Sequence, residues 1–313
     1  MESTSKRSDL EDMDHLDKIS KSLSDLKSST DTLLFVQQMV SLSILLKSFD
    51  RNLDNSLPAI EENAQDPTYF IAAYFDTNNV AEALWVYRIV RSLTRYILLS
   101  DRFYESGNER YSLLAKRVRK SVNELLQSEY DAQHLNYSID YLLEQFSAFW
   151  KFEKIIKSRI LKNYTFSYTE IRHFNLAKSS DASLVYAKVL DAKLPSFNEN
   201  VTLVLHHNQA LLDIQDDLED IVDDVQEDMP NIFVMAAVDN VAYNRIKKSK
   251  SDLIRKIVLS GKNSSGGLVS RLVNELQASN NRVPIPENFA FLKFLSDRYA
   301  DTIRRNISSL SNF

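Results

Sequence analysis

The stretch Leu211-Leu212-Asp213-Ile214-Gln215-Asp216-Asp217-Leu218-Glu219-Asp220-Ile221-Val222-Asp223-Asp224 decides how this chain is read. At about 100° per residue, Ile214, Leu218, Ile221 and Val225 share one helical face, while Asp213, Asp216, Asp217, Asp220 and Asp224 gather on another. An amphipathic helix with a buried apolar stripe is therefore predicted. Carboxylates three or four residues apart stand about 5–6 Å from one another and repel. A mid-helix cluster gains little from the helix dipole. Two settings offset the repulsion: an exposed face bathed in water, or a cleft that holds divalent cations. Mg2+ takes one or two carboxylates together with phosphate oxygens and water. The D-D-x-x-D spacing of Asp216, Asp217 and Asp220 presents such a set on one side of a helix.

Working outward, the rest of the chain also reads as helix. Its 313 residues contain only 4 Gly and 6 Pro, where average usage predicts roughly 20 and 15. Gly and Pro serve turns and break regular elements, so long helices joined by short loops are expected and a many-stranded sheet is not. Hydrophobic residues make up 44%, enough for a sizeable core. A net charge of −5 implies no broad basic surface for nucleic acid. With no cysteine, disulfides and thiolate metal sites are excluded. Met1 to Asp14 is polar, with no apolar signal core, and no apolar run approaches the roughly 20 residues of a spanning helix. A cytoplasmic location is the expectation.

Residues 1–54 read as a tail and helical extension, with helical patterns at Leu10–Leu26 and Thr32–Phe49. Residues 55–313 read as one helical domain. Helices are predicted over Asn79–Tyr104, Tyr111–Leu126, Ala132–Leu161 (as one or two), Glu170–Leu190 and Asn200–Asp228. Others are predicted over Ile232–Leu259, Val269–Ala278 and Glu287–Ser309. Breaks are expected at Ser106-Gly107-Asn108, Thr165–Glu170, Pro195, Pro230-Asn231, Gly261–Gly267 and Pro284-Ile285-Pro286. His206 and His207 lack a third ligand at zinc spacing. Lys247, Lys248 and Lys250 read as a solvated face, and Tyr87, Phe146, Trp150, Phe174 and Tyr186 as core.

Phe166 to Met235 resembles the second half of the trans-polyprenyl synthases, within the class I isoprenoid synthase fold. That family carries a helix with a Lys-Thr-x-x-Leu pattern and, about 35–40 residues later, a Phe-Gln-x-x-Asp-Asp-x-x-Asp segment. Here Lys178-Ser179-Ser180-Asp181-Ala182-Ser183-Leu184 precedes Leu212-Asp213-Ile214-Gln215-Asp216-Asp217-Leu218-Glu219-Asp220 at that separation. Ser179 replaces Thr, Leu184 arrives two residues late, and Leu212-Asp213 stand for Phe-Gln. The first half departs more. In place of an earlier D-D-x-x-D only Asp101 and Glu105 are found, and Asn108-Glu109-Arg110 lies where the family has Arg-Arg-Gly.

The resemblance implies an all-α antiparallel bundle around a central cavity. It implies Mg2+ on Asp216, Asp217 and Asp220, with Asp101 and Glu105 opposite, and Lys178 and Arg110 on the diphosphate of an isoprenoid substrate. Magnesium and a lysine ammonium would stabilise the leaving diphosphate as the allylic bond ionises, leading to prenyl transfer or cyclisation. The alternative it implies is an inactive homologue acting as a partner or regulatory subunit. The family also implies a homodimer, or a heterodimer with an active synthase. No nucleic-acid partner is expected.

Overall fold

The structure, a computed structural model, describes residues 74–75, 80–126, 132–260 and 267–311. Every regular element among them is helical, so the all-α expectation holds. The readings of residues 1–54 and of 54–67, and most of the Gly261–Gly267 loop, lie outside the described residues. The chain divides into two compact units, residues 1–125 and 126–313.

In the first unit, α1 (Val80–Ser106) and α2 (Glu109–Leu126) are joined at Gly107-Asn108. Gly107 has φ +67°, a left-handed conformation that glycine adopts without a Cβ clash. Asn108 Oδ1 accepts the Arg110 N–H at 3.0 Å and so starts α2. Ala83, Val86, Val90 and Leu93 form the buried face of α1.

The second unit runs α3 (Ala132–Leu161), α4 (Tyr168–Asp191), α5 (Glu199–Glu219), α6 (Ile221–Glu227) and α7 (Ile232–Ala237). It continues with α8 (Tyr243–Lys247), α9 (Ser251–Ser260), α10 (Leu268–Arg282), a 3-10 turn at Glu287–Phe289, and α11 (Phe291–Ser311). Helix α5 is central, packing on α4, α10 and α11. Helices α4 and α5 are antiparallel: Lys178 meets Asp217, while Ser183, one turn and more further on, meets His206. Helices α10 and α11 are antiparallel as well, since Asn281 and Gln277 meet Asp297 and Asn274 meets Arg304.

The predicted apolar stripe of the acidic segment is buried. Ile214, Leu218, Ile221 and Val225 enter one core with Phe174, Phe233, Met235, Leu272 and Ile303. Two predicted helices are broken, however. The one expected over Asn200–Asp228 ends at Glu219 and restarts at Ile221. The cause is Asn231, whose Nδ2 donates to Asp217 O at 2.5 Å. In an unbroken helix that carbonyl would accept the Ile221 N–H. The helix expected over Ile232–Leu259 becomes α7, α8 and α9. Asn163 Oδ1, from the α3–α4 loop, accepts the Tyr243 N–H and caps α8 from a distance.

No helix among the described residues is long and apolar enough to cross a membrane. A surface groove of about 390 Å³ runs along the end of α10, lined by Glu275, Ala278, Ser279, Arg282, Val283 and Pro284. None of the predicted site residues lines it.

Candidate functional site

Helix α4 begins with a complete capping box. Ser167 accepts the Glu170 N–H, and the Glu170 carboxylate accepts the Ser167 N–H at 2.9 Å. Arg159 of α3 pairs with the same carboxylate at 3.0 Å. This fixes where α4 starts, and hence where Asn175, Lys178, Ser179 and Ser183 fall along α5.

Lys178 Nζ donates to Asp217 Oδ1 at 2.7 Å. Asp217 is only 2% exposed, and its other oxygen accepts the Ile232 N–H at 2.9 Å. One carboxylate thus neutralises a half-buried ammonium and caps the start of α7. Burial alone would pull the Lys178 ammonium down. The charges of Asp217, Asp213 and Asp224 outweigh it and hold Lys178 above the usual lysine range.

Asp213, one turn before Asp217, is buried. Gln209 Nε2 donates to its Oδ1 at 2.9 Å. Ser179 Oγ lies 2.5 Å from its Oδ2 and 2.7 Å from Asn175 O. A hydroxyl has one proton and cannot serve both acceptors. Burial raises the Asp213 carboxyl above its ordinary range, against the pull of Lys178.

Asp216 and Asp220 are exposed, and Asp224 is half-buried. Although Asp216 reaches solvent, partial desolvation and the charge of Asp213 push it up to about 6, against Lys178. Asp220 is raised by desolvation and by Asp223 and Glu219. Burial raises Asp224 to about 7, even though Asn231 Nδ2 donates to it at 2.8 Å. Each of these carboxylates would ionise more readily if a cation stood beside it.

The predicted residues are therefore arranged unequally. Lys178, Asp217 and Asp213 meet across α4 and α5. Asp216 occupies the last turn of α5, while Asp220 is the cap between α5 and α6, so the three aspartates do not lie on one unbroken helix. Half-buried Asp101 and exposed Arg110 belong to the first unit, and the side chain of Glu105 lies outside the described residues. Lys247, read from sequence as a solvated lysine, is held by Asp228.

Sequence reasoning placed a break at Pro230-Asn231 but not the bonds that the Asn231 side chain makes. It caps α7 through the Phe233 and Val234 N–H groups, breaks the acidic helix and holds Asp224. An Asn between Pro230 and the apolar run Ile232–Ala237 is the cap signal that marks it.

The donor set tests what such a site would hold. It consists of hard carboxylate oxygens, with no thiolate. Among the described residues no three of His, Asp or Glu converge closely enough to enclose an ion. One or two carboxylates completed by ligand phosphate and water is the coordination magnesium favours. Asp216, Asp220 and Asp224 fit that chemistry, whereas Asp217 has both oxygens engaged by the protein.

His206 and His207 each meet a protein partner through Nδ1. His206 Nδ1 meets Ser183 Oγ at 3.0 Å, and His207 Nδ1 meets Asn280 Oδ1 at 2.8 Å. Asn280 is fully buried and spends both amide hydrogens, on Asn208 Oδ1 and Ser296 Oγ. Comparison with protein-family models, curated proteins and solved structures finds no match to this chain.

Proposed function

We propose that the acidic junction of α5 and α6 binds Mg2+ and, through it, an isoprenoid diphosphate, and that the protein is a divergent class I isoprenoid synthase. One observation carries this reading. Lys178 and Asp217, 39 residues apart and drawn from the two motifs of the resemblance, form an ion pair at 2.7 Å.

One or two of Asp216, Asp220 and Asp224 would hold the metal, which when bound would supply positive charge to the leaving diphosphate. Lys178 offers up to three N–H donors, one of them engaged by Asp217, so the others are available to phosphate oxygens. Asp217 keeps the ammonium charged and aimed. Ser179 and Gln209 fix Asp213 beneath it. The apolar face of α5 excludes water from the protein side of the junction.

The test is release of inorganic diphosphate from geranyl, farnesyl and geranylgeranyl diphosphate with and without Mg2+. Magnesium-dependent release from at least one is expected, falling at least a hundredfold in D216N/D220N. Folded wild-type protein that neither releases diphosphate nor is stabilised by Mg2+ with any of the three would overturn the assignment.

A second reading is favoured by Asp217, each of whose oxygens already accepts a hydrogen bond within the protein, from Lys178 and from the Ile232 N–H. On that reading the chain is a non-catalytic homologue that binds the diphosphate and acts as a partner subunit. Its signature is Mg2+-dependent stabilisation by the same ligands without release.

A further inference from the structure

The acidic helix breaks at Asp220, and two side chains from elsewhere take carbonyls at the break. Asn231 takes Asp217 O. Arg255 takes the second, its Nη2 donating to Glu219 O at 2.9 Å. In an unbroken helix that carbonyl would accept the Asp223 N–H. Glu219 is the last residue of α5, so Arg255 sits at the negative end of that helix, where a cation is favoured. Among the described residues this is the one hydrogen bond Arg255 makes.

Helix α9 brings the guanidinium from a fixed base. Ile254, Val258 and Leu259 are buried in the same core as Ile221 and Val225, and α9 packs on α6, α7 and α11. Arg255 follows Ile254 and is half-buried.

The break also changes how the carboxylates are presented. In a straight helix Asp216, Asp220 and Asp224 would stand four residues apart along one face. At Asp220 the backbone has φ −92° and ψ 7°, away from the helical ψ of about −42°, so α6 is turned relative to α5 at this joint. Asp216 belongs to the first helix and Asp224 to the second. Mg2+ demands near-ideal octahedral geometry, so the angle at the joint decides which of these carboxylates can share an ion.

We propose that Arg255 is a positioning residue of the metal site: through Glu219 O it holds the angle between α5 and α6 at which the carboxylates meet Mg2+ and its phosphate ligand. This rests on the reading of the acidic junction given above. Arg255 acts through the backbone and does not touch the ligand. Asn231 guards the other side of the break, but it also caps α7 and bonds Asp224, whereas Arg255 serves the joint alone.

The probe is inorganic pyrophosphate, titrated calorimetrically into the full chain over a series of Mg2+ concentrations. R255M keeps an unbranched stem and removes the donors. R255K returns an ammonium able to bond a helix-end carbonyl. Wild type should bind pyrophosphate only with Mg2+. R255M should need about 10–100-fold more Mg2+ for half-saturation, with an unchanged far-UV circular dichroism spectrum. R255K should recover most of that loss. K250M removes an exposed lysine immediately before α9 and should behave like wild type, which separates the effect from net charge. Four results would each overturn the assignment: R255M indistinguishable from wild type, K250M as weak as R255M, an R255M chain that does not fold, or R255K as weak as R255M, which would put the guanidinium on the phosphate itself. Unimpaired R255M beside a D216N/D220N that has lost binding removes only this proposal. Wild type that binds no pyrophosphate with Mg2+ removes the reading of the junction as well.

Discussion

At the scale of single residues, the acidic segment separates into groups with different work. Asp217 is a structural anion: buried, paired with Lys178 and bonded to the Ile232 N–H. Removing one partner of such a pair leaves a buried charge uncompensated, at about 3–5 kcal/mol. D217A should therefore destabilise by about that much in denaturant titration, with D216N near neutral because Asp216 is exposed. Equal effects would show that Asp217 is not the anchor.

The raised carboxylates give a pH dependence of defined sign. Asp224 titrates at about 7 when folded against roughly 3.9 when unfolded. The folded state then binds more protons, and stability falls as pH rises through 7. His206, lowered to about 4, and His207, also lowered, act oppositely. Their contribution is present above the unfolded value of roughly 6.5 and is lost as pH falls below it. In metal chelator the melting temperature of wild type measured against that of D224N should therefore fall as pH rises from about 4 to 7, the histidine contribution being common to both. A difference that grows with pH over that range would contradict the assignment.

At the scale of elements, caps decide where helices begin and stop. The Ser167–Glu170 box satisfies donors at the start of α4, so S167A should cost about 1 kcal/mol by equilibrium unfolding. Asn231 acts on three elements at once. It caps α7, takes the carbonyl that would continue α5 and restrains Asp224 at the start of α6. N231A should cost more than an ordinary cap, on the order of 2–3 kcal/mol, because buried groups also lose their partners. A loss no larger than that of S167A would mean the helix break is intrinsic to the sequence.

At the scale of the second unit, a polar junction joins α5, α10 and α11 inside an apolar core. Asn280 bonds His207, Asn208 and Ser296, and Asn208 reaches Leu292 O at 2.8 Å. Sliding any one helix by a turn would leave several of these groups unpaired, so the junction fixes register. N280A should destabilise by about 3 kcal/mol through stranded donors and acceptors. A loss below about 1 kcal/mol would show that water readily replaces the amide.

Much of this architecture is legible in the chain itself. Scarce Gly and Pro and 3.6-residue periodicity specify helices, because both act through neighbours a few residues away. The buried stripe Ile214, Leu218, Ile221 and Val225 and the breaks near Gly107, Ser167 and Pro230 follow from the same local rules. The contacts of the candidate site do not. Lys178 meets Asp217, Asn231 interrupts the acidic helix and Asn163 starts α8 through bonds spanning from 14 to 80 residues. Which aspartate becomes a buried anchor and which reach solvent depends on what packs against each face. Periodicity places side chains around a helix axis, but only the neighbouring helices determine the water, protons and partners that each one keeps.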